Sequence, residues 1–149
     1  MRVVVDTNVA VSGLLWHGPP NQILRWAKGG VLRILACEET IEELSHVIEY
    51  AKFNKRLSSL GFTSEEVIAY FMNLVFFVPT PRAIPRRIAV DPFDNLFLAL
   101  ASEHGASLLI SGDTHILSLN EYDHIQIVTP SEACQTIQEL FLDPNEPAR

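Results

Sequence analysis

Residues 3–8 read Val-Val-Val-Asp-Thr-Asn, and this stretch decides how the rest of the chain is interpreted. Continuous apolar runs of this kind are typical of parallel strands that are covered on both faces. The run ends abruptly at Asp6, so the strand would deliver a carboxylate to the edge of a sheet. A carboxylate placed there needs partners or exposure to water. The segment therefore predicts a buried strand that carries a functional acid at its carboxyl end.

Apolar runs and helical patterns alternate along the rest of the chain. We predict strands at Arg2–Asp6, Val31–Ala36, Val75–Val78, Ser107–Ser111 and Ile125–Val128. We predict helices at Asn8–Trp16, Asn21–Lys28, Glu38–Tyr50, Lys52–Leu60, from a Thr63 cap through Leu74, and at Pro92–His104, Thr114–Leu119 and Pro130–Phe141. This alternation indicates an α/β fold with a mostly parallel central sheet of four to five strands.

Size and composition indicate one soluble, cytoplasmic domain. The chain has 149 residues, and domains typically have roughly 100–200. It contains no apolar stretch of about 18 residues that would span a membrane, and its start does not resemble a signal peptide. Cys37 and Cys134 match no metal or redox spacing, so we interpret them as small buried side chains. We assign residues 1–142 to the domain and residues 143–149, with two prolines, to a flexible tail.

Three further acids, Glu43, Asp94 and Asp113, follow predicted strands as Asp6 does. Because sites in open α/β sheets form beyond the carboxyl ends of the strands, all four can reach one edge. Ligands that are all oxygen select Mg²⁺ or Mn²⁺, and such an ion activates water for the hydrolysis of a phosphodiester. The formal charge of −7 argues against binding nucleic acid through overall charge. It does not exclude a nuclease, because the acids of a metal site themselves make the net charge more negative.

Three of these acids also have structural explanations. Asp94 lies in the first turn of a helix for which Asp91 is a good N-cap, and an acid there stabilises the helix dipole. Asp113 precedes a short helix and is a plausible N-cap as well. Glu43 lies in an acidic run that is typical of a solvated helix face. Asp6 is the hardest of the four to explain structurally, because three valines precede it.

The chain resembles a PIN domain at four blocks that occur in the family's order. They are VVDTNV at 4–9, Glu43-Leu44, DPFDNLFLALA at 91–101 and Ser111-Gly112-Asp113. The resemblance extends from Arg2 to about Leu140 and is closest to VapC-type toxins of toxin–antitoxin systems. It implies a three-layer α/β/α sandwich, a Mg²⁺- or Mn²⁺-dependent ribonuclease, a cognate antitoxin and a homodimer. A PIN-fold module with impaired catalysis, which binds RNA or a protein partner, is the alternative.

The resemblance also implies roles for single residues. Asp6, Glu43, Asp94 and Asp113 match the catalytic acids that hold the metal. Thr7 and Asn8 match residues around the first carboxylate, and Asn8 is placed to face substrate. At His115, relatives often have a further Asp. His115 could be a metal ligand, and an imidazole suits Mn²⁺ better than Mg²⁺. It could instead contact a phosphate or be a surface residue. The site could therefore hold one metal ion or two.

Basic and aromatic residues give weaker signals for RNA binding. Arg82, Arg86 and Arg87 lie just upstream of Asp94, so they either bind RNA phosphates at the mouth of the site or belong to a solvated connector. We interpret Lys52, Lys55 and Arg56 as a solvated helix face. We interpret Trp16, Trp26 and Phe53 as core or interface residues rather than stacking platforms.

Overall fold

The computed structural model describes residues 1–86 and 91–141, in which one sheet separates two layers of helices. Its strands are β1 (Arg2–Val5), β2 (Arg33–Ala36), β3 (Val75–Phe77), β4 (Leu108–Ile110), β5 (Glu121–Tyr122) and β6 (Ile125–Val128). They lie in the order β3-β2-β1-β4-β6-β5. All neighbours pair in parallel except β5 and β6. The predicted α/β class and mostly parallel sheet are therefore confirmed.

The helices agree closely with the segments that the apolar spacing predicts. They are α1 (Thr7–Leu15), α2 (Pro19–Lys28), α3 (Glu38–Ile48), α4 (Ala51–Leu60), α5 (Ser64–Leu74), α6 (Pro92–Glu103), α7 (Thr114–Leu117) and α8 (Pro130–Phe141). Among the described residues, no helix is both long enough and apolar enough to cross a membrane. The predicted tail at 143–149 lies outside the described residues.

Each face of the sheet has its own apolar core, and β1 contributes to both. Val3 and Val5 belong to the core that includes buried residues of α1, α2, α3, α4, α5 and α8. Val4 belongs to the second core, which α6 and Ile116 of α7 cover. The valine run is thus buried on both faces, as parallel strands between two helical layers require.

The sheet has six strands in the described residues, so the predicted number of four to five is wrong. The additional strand, β5, has two residues and pairs antiparallel with β6, with Tyr122 opposite Ile125. Asp123 and His124 connect them with φ of 49° and 67°, the positive values that a two-residue type I′ turn requires. This hairpin was not predicted, because a strand of two residues shows no periodicity and the Asp-His turn lacks the usual glycine.

The strand register brings two chain segments level where the site lies. Val5 is paired with Ile110, and the Asp6 N–H continues the ladder by donating to the Ile110 carbonyl at 3.0 Å. Asp6 and Ser111 are therefore the next residues of two neighbouring parallel strands. Helix α1 begins at the residue after Asp6, and α7 begins at Thr114, shortly after Ser111. The carboxyl edge of the sheet is therefore where side chains from both strands meet helix N-termini.

Candidate active site

Asp6 is a buried carboxylate held by the first turn of the helix that follows it. Its side chain is only 4% exposed. As the N-cap of α1 it accepts a hydrogen bond on Oδ1 from the Val9 N–H at 2.8 Å. Burial raises the pKa of Asp6, hydrogen bonds from Ser111 and Val9 oppose that rise, and the charge of Asp113 adds to it. The position predicted from the valine run is therefore a fixed and partly compensated buried acid.

Ser111 joins Asp6 to Asp113, and sequence reasoning did not identify it as a site residue. Its side chain is fully buried. The hydroxyl donates to Asp6 Oδ2 and accepts from the Asp113 N–H at 3.0 Å. One hydroxyl thus fixes the second oxygen of Asp6 and the backbone that carries Asp113. A hydroxyl residue directly after an apolar strand was the available signal, but its partner depends on the register of β1 against β4.

Asp94 is a buried acid with one carboxylate oxygen that has no hydrogen-bond partner among the described residues. It is 7% exposed, in the first turn of α6, where Asp91 is the N-cap and accepts from the Phe93 N–H at 2.9 Å. Among the described residues, nothing hydrogen-bonds to the buried Oδ2 of Asp94. Burial, followed by the charges of Asp91, Asp113, Asp6 and Glu43, raises the pKa of Asp94 to about 7. The capping role therefore belongs to Asp91, and Asp94 needs another explanation.

Glu43 and Asp113 complete the predicted quartet around one cleft. Glu43 is half-buried in the middle of α3. Asp113 is half-buried too, and its Oδ1 accepts from the His115 N–H at 2.7 Å as the N-cap of α7. All four acids line a cleft of about 270 Å³, together with Thr7, Asn8, Val47, Tyr50, Lys52, Asp91, Phe93 and Phe97. The predicted convergence of Asp6, Glu43, Asp94 and Asp113 is what the structure shows.

The cleft suits a hard divalent cation by its charge and by its donor atoms. Five carboxyl groups line the cleft. Among its described lining residues, Lys52 is the only one with a cationic side chain. Like charges that share one cleft repel each other unless a cation neutralises them. The orphaned Asp94 Oδ2 is an oxygen donor of the kind Mg²⁺ and Mn²⁺ prefer. Within residues 1–86 and 91–141, no three Asp, Glu, His or Cys side chains form a ready-made metal site.

Thr7 and Asn8 line the cleft, but the described hydrogen bonds to the Asp6 side chain come from other residues. Thr7 is half-buried and Asn8 is exposed. The bonds to Asp6 come from Val9, Ser111 and the backbone of Gly112. Asn8 thus remains available to a ligand in the cleft, which is the role that the resemblance implied.

The remaining predicted substrate residues lie outside the lining of the cleft as far as the structure describes it. His115 is exposed on α7, and its backbone, not its imidazole, contacts Asp113. Arg82 and Arg86 are exposed, and the Arg82 N–H donates to Glu103 Oε2 at 2.8 Å. Arg87 lies outside the described residues. The structure therefore favours the surface interpretation of His115 and the connector interpretation of Arg82 and Arg86.

Lys52 and Tyr50 line the acidic cleft. Lys52 is exposed, as the predicted solvated face requires, but its position at the cleft was not predicted. The two residues lie where α3 passes into α4, with Tyr50 as the N-cap of α4. Tyr50 is 52% exposed.

The three aromatic residues predicted to lie in the core or an interface differ in exposure. Trp26 and Phe53 are buried as predicted, while Trp16 is 42% exposed.

A larger cavity of about 490 Å³ lies elsewhere and contains none of the four acids. Arg2 and Arg33, the first residues of β1 and β2, line it with Phe76, Phe77 and His104. Its size alone does not make it the better candidate, because the acids that would perform chemistry are all in the smaller cleft.

Comparisons with known proteins identify the family of the chain and proteins of similar fold. A family model described as PIN domain matches residues 2–115. VapBC2 from Rickettsia felis, solved bound to a DNA fragment from its promoter, is similar in fold, with a TM-score of 0.58, 12% identity, and coverage of 85% of this chain and 97% of that one. PAE2754 from Pyrobaculum aerophilum has a TM-score of 0.55 and 14% identity, covering 93% and 99% respectively. No curated protein sequence is significantly similar to the chain.

Proposed function

The chain belongs to the PIN-domain family, and from this premise we propose that it is a divalent-metal-dependent endoribonuclease. The observation that supports this most strongly is Asp94, whose buried Oδ2 has no described partner and whose pKa is raised to about 7 among other acids. Maintaining such a group costs stability, which a purely structural acid would not require. The reaction would be hydrolysis of RNA phosphodiester bonds.

The four acids would hold Mg²⁺ or Mn²⁺, and the roles of the surrounding residues follow from their contacts. When bound, the ion lowers the pKa of water and neutralises charge that develops on the phosphate. Asp6 is presented in one orientation by Val9 and Ser111. Asp113 is oriented by the same Ser111 hydroxyl and by α7. Asn8, exposed at the rim of the cleft, would contact the RNA.

The biological role that we propose is that of the toxin of a toxin–antitoxin pair in the cytoplasm, acting as a homodimer with a cognate antitoxin. The fold similarity to VapBC2 supports this role, as does the sequence resemblance to VapC-type toxins. The alternative of a catalytically impaired binding module rested on His115. Because the His115 side chain is exposed and does not line the cleft, nothing in the described site favours that alternative.

Incubation of the purified protein with single-stranded RNAs in Mn²⁺, Mg²⁺ or chelator tests the proposal. We expect cleavage that requires the ion and is lost in Asp6→Asn, whose substituted side chain is a poorer ligand. Glu42→Gln is the matched control, because Glu42 is exposed on the same helix as Glu43 and does not line the cleft. Cleavage that survives both chelator and Asp6→Asn would refute the metal mechanism. Expression that leaves growth unchanged would refute the toxin role.

A further inference from the structure

The junction between α3 and α4 adds a positive and aromatic wall to a cleft that is otherwise acidic. Lys52 and Tyr50 line the same cleft as the four acids. An RNA strand that enters it meets five carboxyl groups and, among the described lining residues, the single cation Lys52. Since phosphate binding depends on cationic side chains and Arg82 and Arg86 do not line the cleft, Lys52 is the residue placed to offset this repulsion.

Two aromatic rings, Phe53 and Trp16, lie close to the cations of this region. The Lys52 Nζ lies 5.1 Å from the centre of the Phe53 ring, and Phe53 packs edge-on against Trp16 with ring centres 6.1 Å apart. Arg56 lies over the other ring of that pair, 5.7 Å from the centre of Trp16, and its Nε donates to the Leu15 carbonyl at 2.6 Å. Lys52, in the first turn of α4, and Arg56, about one turn further on, therefore each lie near an aromatic ring.

Tyr50 and Trp16 keep much of their rings in water despite this packing, at 52% and 42% exposed. Exposed rings next to cations are what single-stranded nucleic acid requires, because bases stack on the rings while phosphates contact the cations. We propose that Tyr50 and Lys52 form a binding subsite for single-stranded RNA, in which Tyr50 stacks a base and Lys52 contacts a phosphate that flanks the cleaved bond. Trp16 extends the stacking surface, with Arg56 holding its ring.

This inference rests on the proposed function, so it is tested by RNA binding as well as by cleavage. The reference protein is the full chain carrying Asp6→Asn, titrated with a fluorescein-labelled, unstructured single-stranded RNA and followed by anisotropy. We expect Tyr50→Ala to weaken binding about tenfold, or about 1.4 kcal/mol, because it removes the ring on which one base stacks. Tyr50→Trp keeps a stacking ring and should keep the affinity. Lys52→Ala should reduce the slope of log Kd against log salt by about 0.7.

The chain offers a matched control in Lys28 and Tyr70. The Lys28 Nζ lies 5.8 Å from the centre of the Tyr70 ring, and Tyr70 is 45% exposed, but neither residue lines the cleft. Lys28→Ala and Tyr70→Ala should leave the affinity and the salt slope unchanged. Equal loss of affinity in both pairs, or no loss in either, would overturn the subsite. So would a reference protein that binds no single-stranded RNA.

Kinetic measurements distinguish a wrong assignment of the Tyr50–Lys52 subsite from a wrong assignment of ribonuclease activity. In the protein with its four acids intact, Tyr50→Ala and Lys52→Ala should raise KM for RNA while kcat changes little. Metal-dependent cleavage with an unchanged KM in both variants would refute the subsite and leave the ribonuclease standing. Binding that depends on Tyr50 and Lys52, without cleavage by the parent protein, would support the subsite and refute the hydrolytic function.

Discussion

Asp94→Asn is expected to make the metal-free protein more stable at pH 8, although it removes a proposed metal ligand. The folded protein holds a proton on Asp94 up to about pH 7, whereas the ordinary pKa is 3.8. The stabilising contribution of this protonation is therefore complete below about pH 4 and is lost as the pH rises through 7. At 1.36 kcal/mol for each pH unit, the loss at pH 8 amounts to about 4 kcal/mol.

The asparagine variant avoids this loss but introduces an amide at a buried position. Asp94 is 7% exposed and its Oδ2 has no partner among the described residues, so the amide would cost about 1–3 kcal/mol. The net gain expected at pH 8 is therefore about 1–3 kcal/mol. At pH 5 the carboxylate penalty is only about 1.5 kcal/mol, so the gain should disappear.

Urea unfolding followed by circular dichroism in chelator, at pH 5 and pH 8, measures this difference. Glu42→Gln removes a neighbouring exposed charge on α3 and should change stability by no more than about 0.5 kcal/mol. Mg²⁺ or Mn²⁺ at about 100 times its Kd should stabilise the parent by about 2.7 kcal/mol and the asparagine variant by less. An asparagine variant that is less stable than the parent by the same amount at both pH values would refute the argument from charge repulsion.

Three further predictions follow from contacts in the structure. Ser111→Ala removes the hydroxyl that orients Asp6 and should weaken Mn²⁺ binding about 10- to 100-fold in isothermal titration calorimetry, with recovery in Ser111→Thr. His115→Ala should keep both Mn²⁺ affinity and RNA cleavage, because this side chain is exposed and does not line the cleft. Gly13→Ala would place a Cβ 2.8 Å from Leu24 Cδ1, so urea unfolding should show a loss of about 1–3 kcal/mol. Gly29→Ala, where the nearest atom is 3.5 Å away, should not show this loss.

Local patterns placed Asp6, Asp94 and Asp113 at the ends of strands or in the first turn of a helix, whereas Glu43 lies in the middle of α3. The resemblance to PIN domains was needed to assign the four acids one shared role. The valine run indicates a strand buried on both faces, and Val4 and Val5 do belong to opposite cores. Parallel strands present their carboxyl ends at one edge, so a correct strand assignment already brings Asp6 and Asp113 together. The geometry of the fold class, rather than any single motif, made the convergence predictable.

Features that depend on pairing between distant segments were not predictable in the same way. The hydroxyl of Ser111 reaches Asp6 because Val5 is level with Ile110, 105 residues later. No local pattern specifies that register. The β5–β6 hairpin was missed for a different reason, because its pairing is local but its two-residue strand is too short to show periodicity and its Asp-His turn lacks glycine.

Lys52 is exposed, as its basic helical segment predicted, but the local charge pattern did not predict that it lines the cleft. Lys52, Lys55 and Arg56 lie in the N-terminal part of α4, and a basic helical segment is usually a solvated face. Phe53 and Leu57 are buried, and at about 100° per residue this turns Lys52 and Arg56 to one flank of the buried stripe and Lys55 away from it. The helical spacing thus already separates the three cations. Which flank faces the acids depends on how α4 leaves α3 at Tyr50, and that direction puts Lys52 in the cleft while Arg56 lies over Trp16.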